Sequence, residues 1–252
     1  MRVLGISAVI LLSIVDLGWS QVEVPSSQTA NLPMYRPILL GTGPDALVNR
    51  IDTAGLIKQG QKDAAIMFSC MVTKDGAVLL VSTYRGTPDS KLLEQEVLKK
   101  LSAAVNPKFI PGIYNHVPVG AIYYGTVTFA IVNDKPRLRI FSNQELEELR
   151  KESDFIGPQP FWGGDSKFSG FHYPTGESVP VMVDGSAELE LKVDATGNLL
   201  DLKVLSEYPP FLGFGDAAFN DFSKAKFIPA FREGKPVACD VKIPVYYQEK
   251  GF

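Results

Sequence analysis

Chemistry needs side chains that can ligate, attack or move protons, and this chain offers few of them. Its two histidines, His116 and His172, stand far apart in sequence and give neither a Ser-His-Asp triad nor a zinc site much to build from. Each reads as a turn or packing residue. Glu188 and Glu190 come nearest to paired carboxylates, but they alternate with Ala187, Leu189 and Leu191, which marks the wet face of a strand rather than an acid-base pair. Gly41-x-Gly43 lacks the lysine and following Ser or Thr of a phosphate loop, and Gly213-x-Gly215 is a lone glycine pair before a short helix. Cys70 and Cys239 are the only thiols. An even pair in an oxidising compartment invites a disulfide, yet both fall on the inward parity of strands in different parts of the chain, so each should sit in its own core as a small hydrophobe. No enzymatic reaction, no cofactor and no metal is expected.

The elements that position these residues are written twice. Lys108-Phe109-Ile110-Pro111 returns as Lys226-Phe227-Ile228-Pro229, and equally far downstream come Pro118-Val119 and Pro236-Val237, each opening an alternating run. Upstream of each tetrapeptide lies an amphipathic helical stretch. Before that stand two strand-like runs joined at a glycine turn, Asp75-Gly76 and Thr196-Gly197. A repeated supersecondary unit points to a binding module before it points to an enzyme.

The chain of 252 residues carries a net charge of −3 with both signs mixed along it, so it has no basic patch for nucleic acid. At the start, Arg2, the apolar run Val3 to Val15 and Gly18-Trp19-Ser20 read as a secretory signal peptide cleaved after Ser20. The competing reading is a retained membrane anchor. The run is shorter than the roughly 20 apolar residues that span a bilayer, and Asp16 interrupts it.

Residues 21–59 read as an irregular lead-in, rich in Pro, Ser, Thr and Gly as far as about Asp45, with Met34, Tyr35, Ile38, Leu39 and Leu40 apolar enough to pack partly on the first repeat. In 60–141 a first strand carries Ile66, Phe68, Cys70 and Val72 on one face and the weakly polar Ala65, Met67, Ser69 and Met71 on the other, so the sheet should be covered on both sides. A helix capped at Asp89 or Ser90 presents Leu93, Val97 and Leu101, with Glu96 and Lys100 paired outside. Asn133-Asp134-Lys135-Pro136 turns the chain into an extra short strand, Arg137 to Phe141. Residues 142–172 form a linker: Ser142-x-x-Glu145 opens a short polar helix through about Lys151, and the aromatic stretch from Phe161 to Tyr173 docks the parts together rather than forming a ligand platform. In 173–252 the alternation is cleaner. Asp216 caps a helix whose Phe219, Phe222 and Ala225 face the sheet, and Val237 to Tyr247 is one last strand. Pro244 within it cannot donate to a ladder, which makes this an edge strand.

These residues carry a family resemblance. Tyr173-Pro174, the run Asp184 to Asp194, Gly197, Asp216-Ala217-Ala218, Lys226 to Ala230, Gly234-Lys235-Pro236-Val237 and Ile243-Pro244-Val245 look like the C-terminal domain of TonB-family proteins. Gly60-Gln61, Val72, Asp75-Gly76, Lys108 to Pro111 and Pro118-Val119 resemble it more distantly. The resemblance implies a small periplasmic ββαβ domain whose final strand accepts an extended segment, the TonB box, of an outer-membrane transporter. The fold expected is therefore α+β, two tandem ββαβ modules, each a small antiparallel sheet with one packed helix. The peptide-binding edge would comprise Val237, Asp240, Lys242, Pro244 and Tyr246.

The function expected is an exported, periplasmic or secreted binding protein whose partner is a TonB-box-like peptide of an envelope or outer-membrane protein. An alternative is a membrane-anchored energy transducer that keeps residues 1–20. Against it, the stretch 21–45 extends at most about 3.3 to 3.6 Å per residue, a short tether for crossing a periplasm. A third reading is a scaffold in which the two modules bury their edges against each other.

Overall fold

A computed structural model describes residues 32–102, 108–142, 151, 154–174 and 183–248. The leader and the Ser142-x-x-Glu145 helix fall, wholly or for the most part, outside these residues. The architecture is α+β, mostly antiparallel sheet with few helices.

The first half begins with β1 (Tyr35–Arg36) and two short helices, α1 (Leu47–Arg50) and α2 (Thr53–Lys58). The sequence pattern marks this lead-in as irregular, because these helices are too short to show a period. Leu47, Ile51 and Leu56 are nevertheless buried, and Asp52 caps α2 by accepting from Gly55 N at 2.8 Å. β2 (Ala64–Val72), β3 (Val78–Gly86), α3 (Lys91–Leu101), β4 (Gly112–Tyr114), β5 (Val117–Val132) and β6 (Lys135–Phe141) come next. α3 buries Leu93, Val97 and Leu101, each worth about 1.5–3 kcal/mol by area. Its cap differs from expectation: the Ser90 side chain makes no capping bond, and the buried Gln61 accepts from Leu93 N at 2.8 Å instead.

The segment read as linker holds a strand, β7 (Gln159–Trp162). The second half runs β8 (Gly185–Val193), β9 (Leu199–Tyr208), α4 (Phe214–Phe222), β10 (Lys226–Ile228), β11 (Ala230–Arg232), β12 (Lys235–Val237) and β13 (Cys239–Tyr247). Gly213 occupies the N-cap of α4 in a left-handed conformation, and Glu207 accepts from Leu212 N and Gly215 N at 3.2 and 2.7 Å. Asp216, expected as the cap, lies in the first turn. The buried stripe is Phe214, Ala218 and Phe222, whereas Phe219 is 41% exposed.

Both halves order their strands alike. β2 lies between β3 and β5, and β8 between β9 and β13, all antiparallel. β2 pairs with β5 without a break from Ala64–Phe129 to Val72–Ala121, and β8 with β13 from Gly185–Tyr247 to Val193–Cys239. β3 and β9 each carry two register irregularities against their central strands.

The halves are not separate bodies, and here the expectation of a small sheet for each needs correcting. β10 pairs with β7, and β7 with β5, so the second tetrapeptide joins an eight-stranded sheet built mainly by the first half. Ile228 and Phe231 belong to the first core, while Ile122 and Tyr124 of β5 pack with the second. Met67 and Met71 are half-buried, and Met71 packs against the second core. Cys70 is buried and Cys239 half-buried, and no disulfide joins them.

The turn glycines fix these arrangements. Phe109 N donates to Gly76 O at 2.8 Å and Phe227 N to Gly197 O at 2.9 Å. Gly76 and Gly197 have φ of +80° and +86°, and a Cβ on either would collide with the carbonyl of its phenylalanine. Gly76→Ala and Gly197→Ala should each cost at least about 2 kcal/mol in urea unfolding, through left-handed strain plus the clash; a loss under about 0.5 kcal/mol would contradict this packing.

Asp194 holds the second turn. Its carboxylate accepts from Thr196 N, Thr196 Oγ1, Asn198 N and Asn198 Nδ2 at 2.8 to 2.9 Å. Desolvation raises its pKa, but the bonds from Asn198 and Thr196 win and lower it to about 2. A depressed carboxyl contributes stability above its unfolded pKa and loses it on protonation. The stability gap between the parent and Asp194→Ala should therefore be widest at neutral pH and shrink as pH falls from about 4 toward about 2; a gap that stays constant across that window would show the bonds to be worthless.

Candidate functional site

β13 presents the features of a sheet margin. Val241, Ile243, Val245 and Tyr247 point into the second core, and Asp240 and Lys242 between them are exposed. Among the described strands β13 pairs with β8 alone. Its nine paired residues carry no bulge, unlike β9 at the opposite margin, where two irregularities disturb the ladder. Bulges blunt an edge against further pairing, so β13 is the better template of the two.

The expected site residues do not share one surface. Val237 lies in β12, opposite Ala230 of β11, and Ala238 separates that hairpin from β13. The single strand Val237 to Tyr247 is thus two, because a tight turn at Glu233 and Gly234, both with positive φ, sends Lys235–Val237 back along β11. Pro244 is buried, and Tyr246, half-buried, stacks on Tyr84 of β3 with ring centroids 4.6 Å apart. Arg85 and Glu188 approach to 3.8 Å beside them. Burial raises the Tyr246 phenol, Arg85 opposes that rise and Glu188 adds to it. Only the leading part of the strand, with Asp240 and Lys242, turns its outer face to water. There Asp240 stands 3.9 Å from Lys192, an exposed pair of small energetic weight.

Where β13 meets the first half, the buried hydroxyls of Tyr124 and Tyr247 find no hydrogen-bond partner among the described residues, and burial pushes both phenols up. The corresponding margin of the first half is occupied at both ends. β6 pairs with Thr126–Val132 of β5 and β7 with Gly120 and Ala121, on the side away from β2.

Other candidate groups act structurally. His116 Nδ1 lies 2.7 Å from Leu32 O. His172 binds Asp221 through N at 2.8 Å and Nδ1 at 2.6 Å, with Ser169 Oγ 3.5 Å from Nε2. That trio has the order of a hydrolytic triad, which the sequence spacing did not reveal. Its imidazole is 65% exposed and the serine contact long, so it pins the aromatic segment to α4. Glu188 and Glu190 meet Arg85 and Lys203. Among the described residues no cluster of three or more His, Cys, Asp or Glu is placed to hold a metal ion.

Tyr84→Ala should leave the fold intact while raising hydrogen exchange at Val245 to Tyr247 severalfold, with Val241 unchanged. Equal exchange in parent and variant would mean that Tyr84 does not cover the strand.

Residues 177–248, which span β8 to β13, match the family model described as Gram-negative bacterial TonB protein C-terminal. No curated protein and no solved structure matches the chain. The matched family is a non-enzymatic protein-interaction domain of periplasmic type. Among the described residues no helix is long and apolar enough to cross a membrane.

Proposed function

We propose that the chain is an exported binding protein that takes an extended, TonB-box-like segment of an envelope or outer-membrane protein onto the β13 margin. The supporting observation is the contrast between corresponding margins: β5 carries β6 and β7, whereas β13 pairs only with β8 among the described strands. In this reading the halves are two copies of one ββαβ unit. Their matching ladders, paired irregularities and turn-to-phenylalanine bonds support it. Strand addition draws affinity from backbone hydrogen bonds and selectivity from alternate side chains, here Asp240 and Lys242, with Pro244 and Tyr246 limiting how far the added strand extends. The leader is removed after Ser20.

The test is a titration of ¹⁵N-labelled full-length chain, purified from the envelope fraction, with TonB-box-like peptides. Amides of Asp240 to Ile243 should shift saturably, and Val241→Pro should abolish the effect in a variant that keeps the parent spectrum elsewhere. Shifts confined to β9 or to the first half would sink the reading. The mass of the same preparation should place Gln21 first; an intact Met1 would favour an anchored chain.

A further inference from the structure

At one end of the first sheet, the β2–β3 turn, the β4–β5 hairpin and the glycine turn after β7 border an open cleft of about 890 Å³. Ligand pockets occupy roughly 300–1,000 Å³. The lining residues all lie before residue 177, outside the family match. Trp162 forms one wall. Gly120, opposite Trp162 in the ladder, lies so close to the indole that a Cβ there would run into Cε2, Cζ2 and Nε1. The ring is thus seated on backbone and packs against the second core, and, half-buried, it borders the cleft. Tyr114 and Phe161, whose ring centroids lie 4.5 Å apart, are buried, leaving one aromatic platform rather than two rails.

The polar groups of the wall decide the ligand's charge. Lys74 and Asp75 are adjacent and exposed on the β2–β3 turn, and Asp165 forms an ion pair with Lys226. The opposite charges cancel on both lips, so neither an anion nor a cation is favoured. Carboxylate oxygens and the Asn115 amide remain to bond hydroxyl groups. We propose that this cleft binds a neutral saccharide, its C–H face stacked on Trp162 and its hydroxyls held by Asp75 and Asn115. A proline-rich peptide would also stack on an indole, but it docks between several aromatic side chains and offers few donors to the carboxylates.

Trp19 and Trp162 are the only tryptophans, so the chain from Gln21, freed of the leader, reports the cleft through Trp162 fluorescence alone. Titration with chitotriose, cellotriose and maltotriose should give a saturable change with at least one of them, and inorganic phosphate should give none. Asp75→Asn and Asn115→Gly, both exposed positions, should each weaken that binding about tenfold or more, the effect of one lost hydrogen bond to a ligand, while melting with the parent. Silence toward all three sugars, a response to a polyproline peptide alone, or parental affinity in both variants would overturn the assignment.

Discussion

The fold depends on a close approach made in each half: the phenylalanine N–H of the repeated tetrapeptide donates to the carbonyl of a left-handed turn glycine. Only a residue without a Cβ admits the strand end so near. The bond ties the hairpin tip to the chain leaving the helix, so the helix must lie across the sheet. It also delivers the next hairpin beside the central strand. β5 and β13 consequently dock on β2 and β8 along unbroken nine-residue ladders. Phe109 and Phe227, buried behind the bond, lock it from the core side.

One frame with two fates explains how the halves differ. β5 is buried on both parities from Val119 to Val127, because the first core covers one face and the second half the other. Its free margin is then taken at both ends by β6 and β7, which satisfy backbone groups there that burial would otherwise orphan. β13 alternates cleanly only as far as Lys242, after which Pro244 and Tyr246 turn against β3 and the neighbouring aromatics. Where one half's margin is occupied at both ends, the other's stays partly accessible.

Much of this was legible in the sequence, for physical reasons. The tetrapeptides and turn glycines mark the close approach, since only particular residues fit it. Leu93, Val97 and Leu101 mark the buried face of α3, and the alternation of Ala187 to Val193 marks β8. Long-range decisions were not legible. Gln61 and Glu207 cap helices from a distance, displacing the local candidates Ser90 and Asp216. β7 is four residues with a proline, below any periodic signal, yet it joins β10 to the first sheet. Phe219 has the right helical spacing, but α4 reaches the sheet through Gly215 against Val204 and leaves it at the rim. For the candidate site, the edge strand and its proline could be read locally, whereas the covering of Pro244 and Tyr246 depends on a partner strand distant in sequence.

That covering sets what the β13 margin can do alone. Net backbone hydrogen bonds contribute about 0.5–1.5 kcal/mol each, so a ladder limited to the leading residues of β13 yields a few kcal/mol, near the roughly 4 kcal/mol that corresponds to millimolar affinity. An extended peptide must also lose chain entropy on docking, at about 1–2 kcal/mol per residue fixed. A short ladder is therefore insufficient by itself. Useful affinity must come from side chains that meet Asp240 and Lys242, from a segment already extended in its own protein, or from release of Tyr246 from Tyr84. A partner that lengthens the ladder past Pro244 would thus be opposed by a stacked aromatic pair and a rim ion pair.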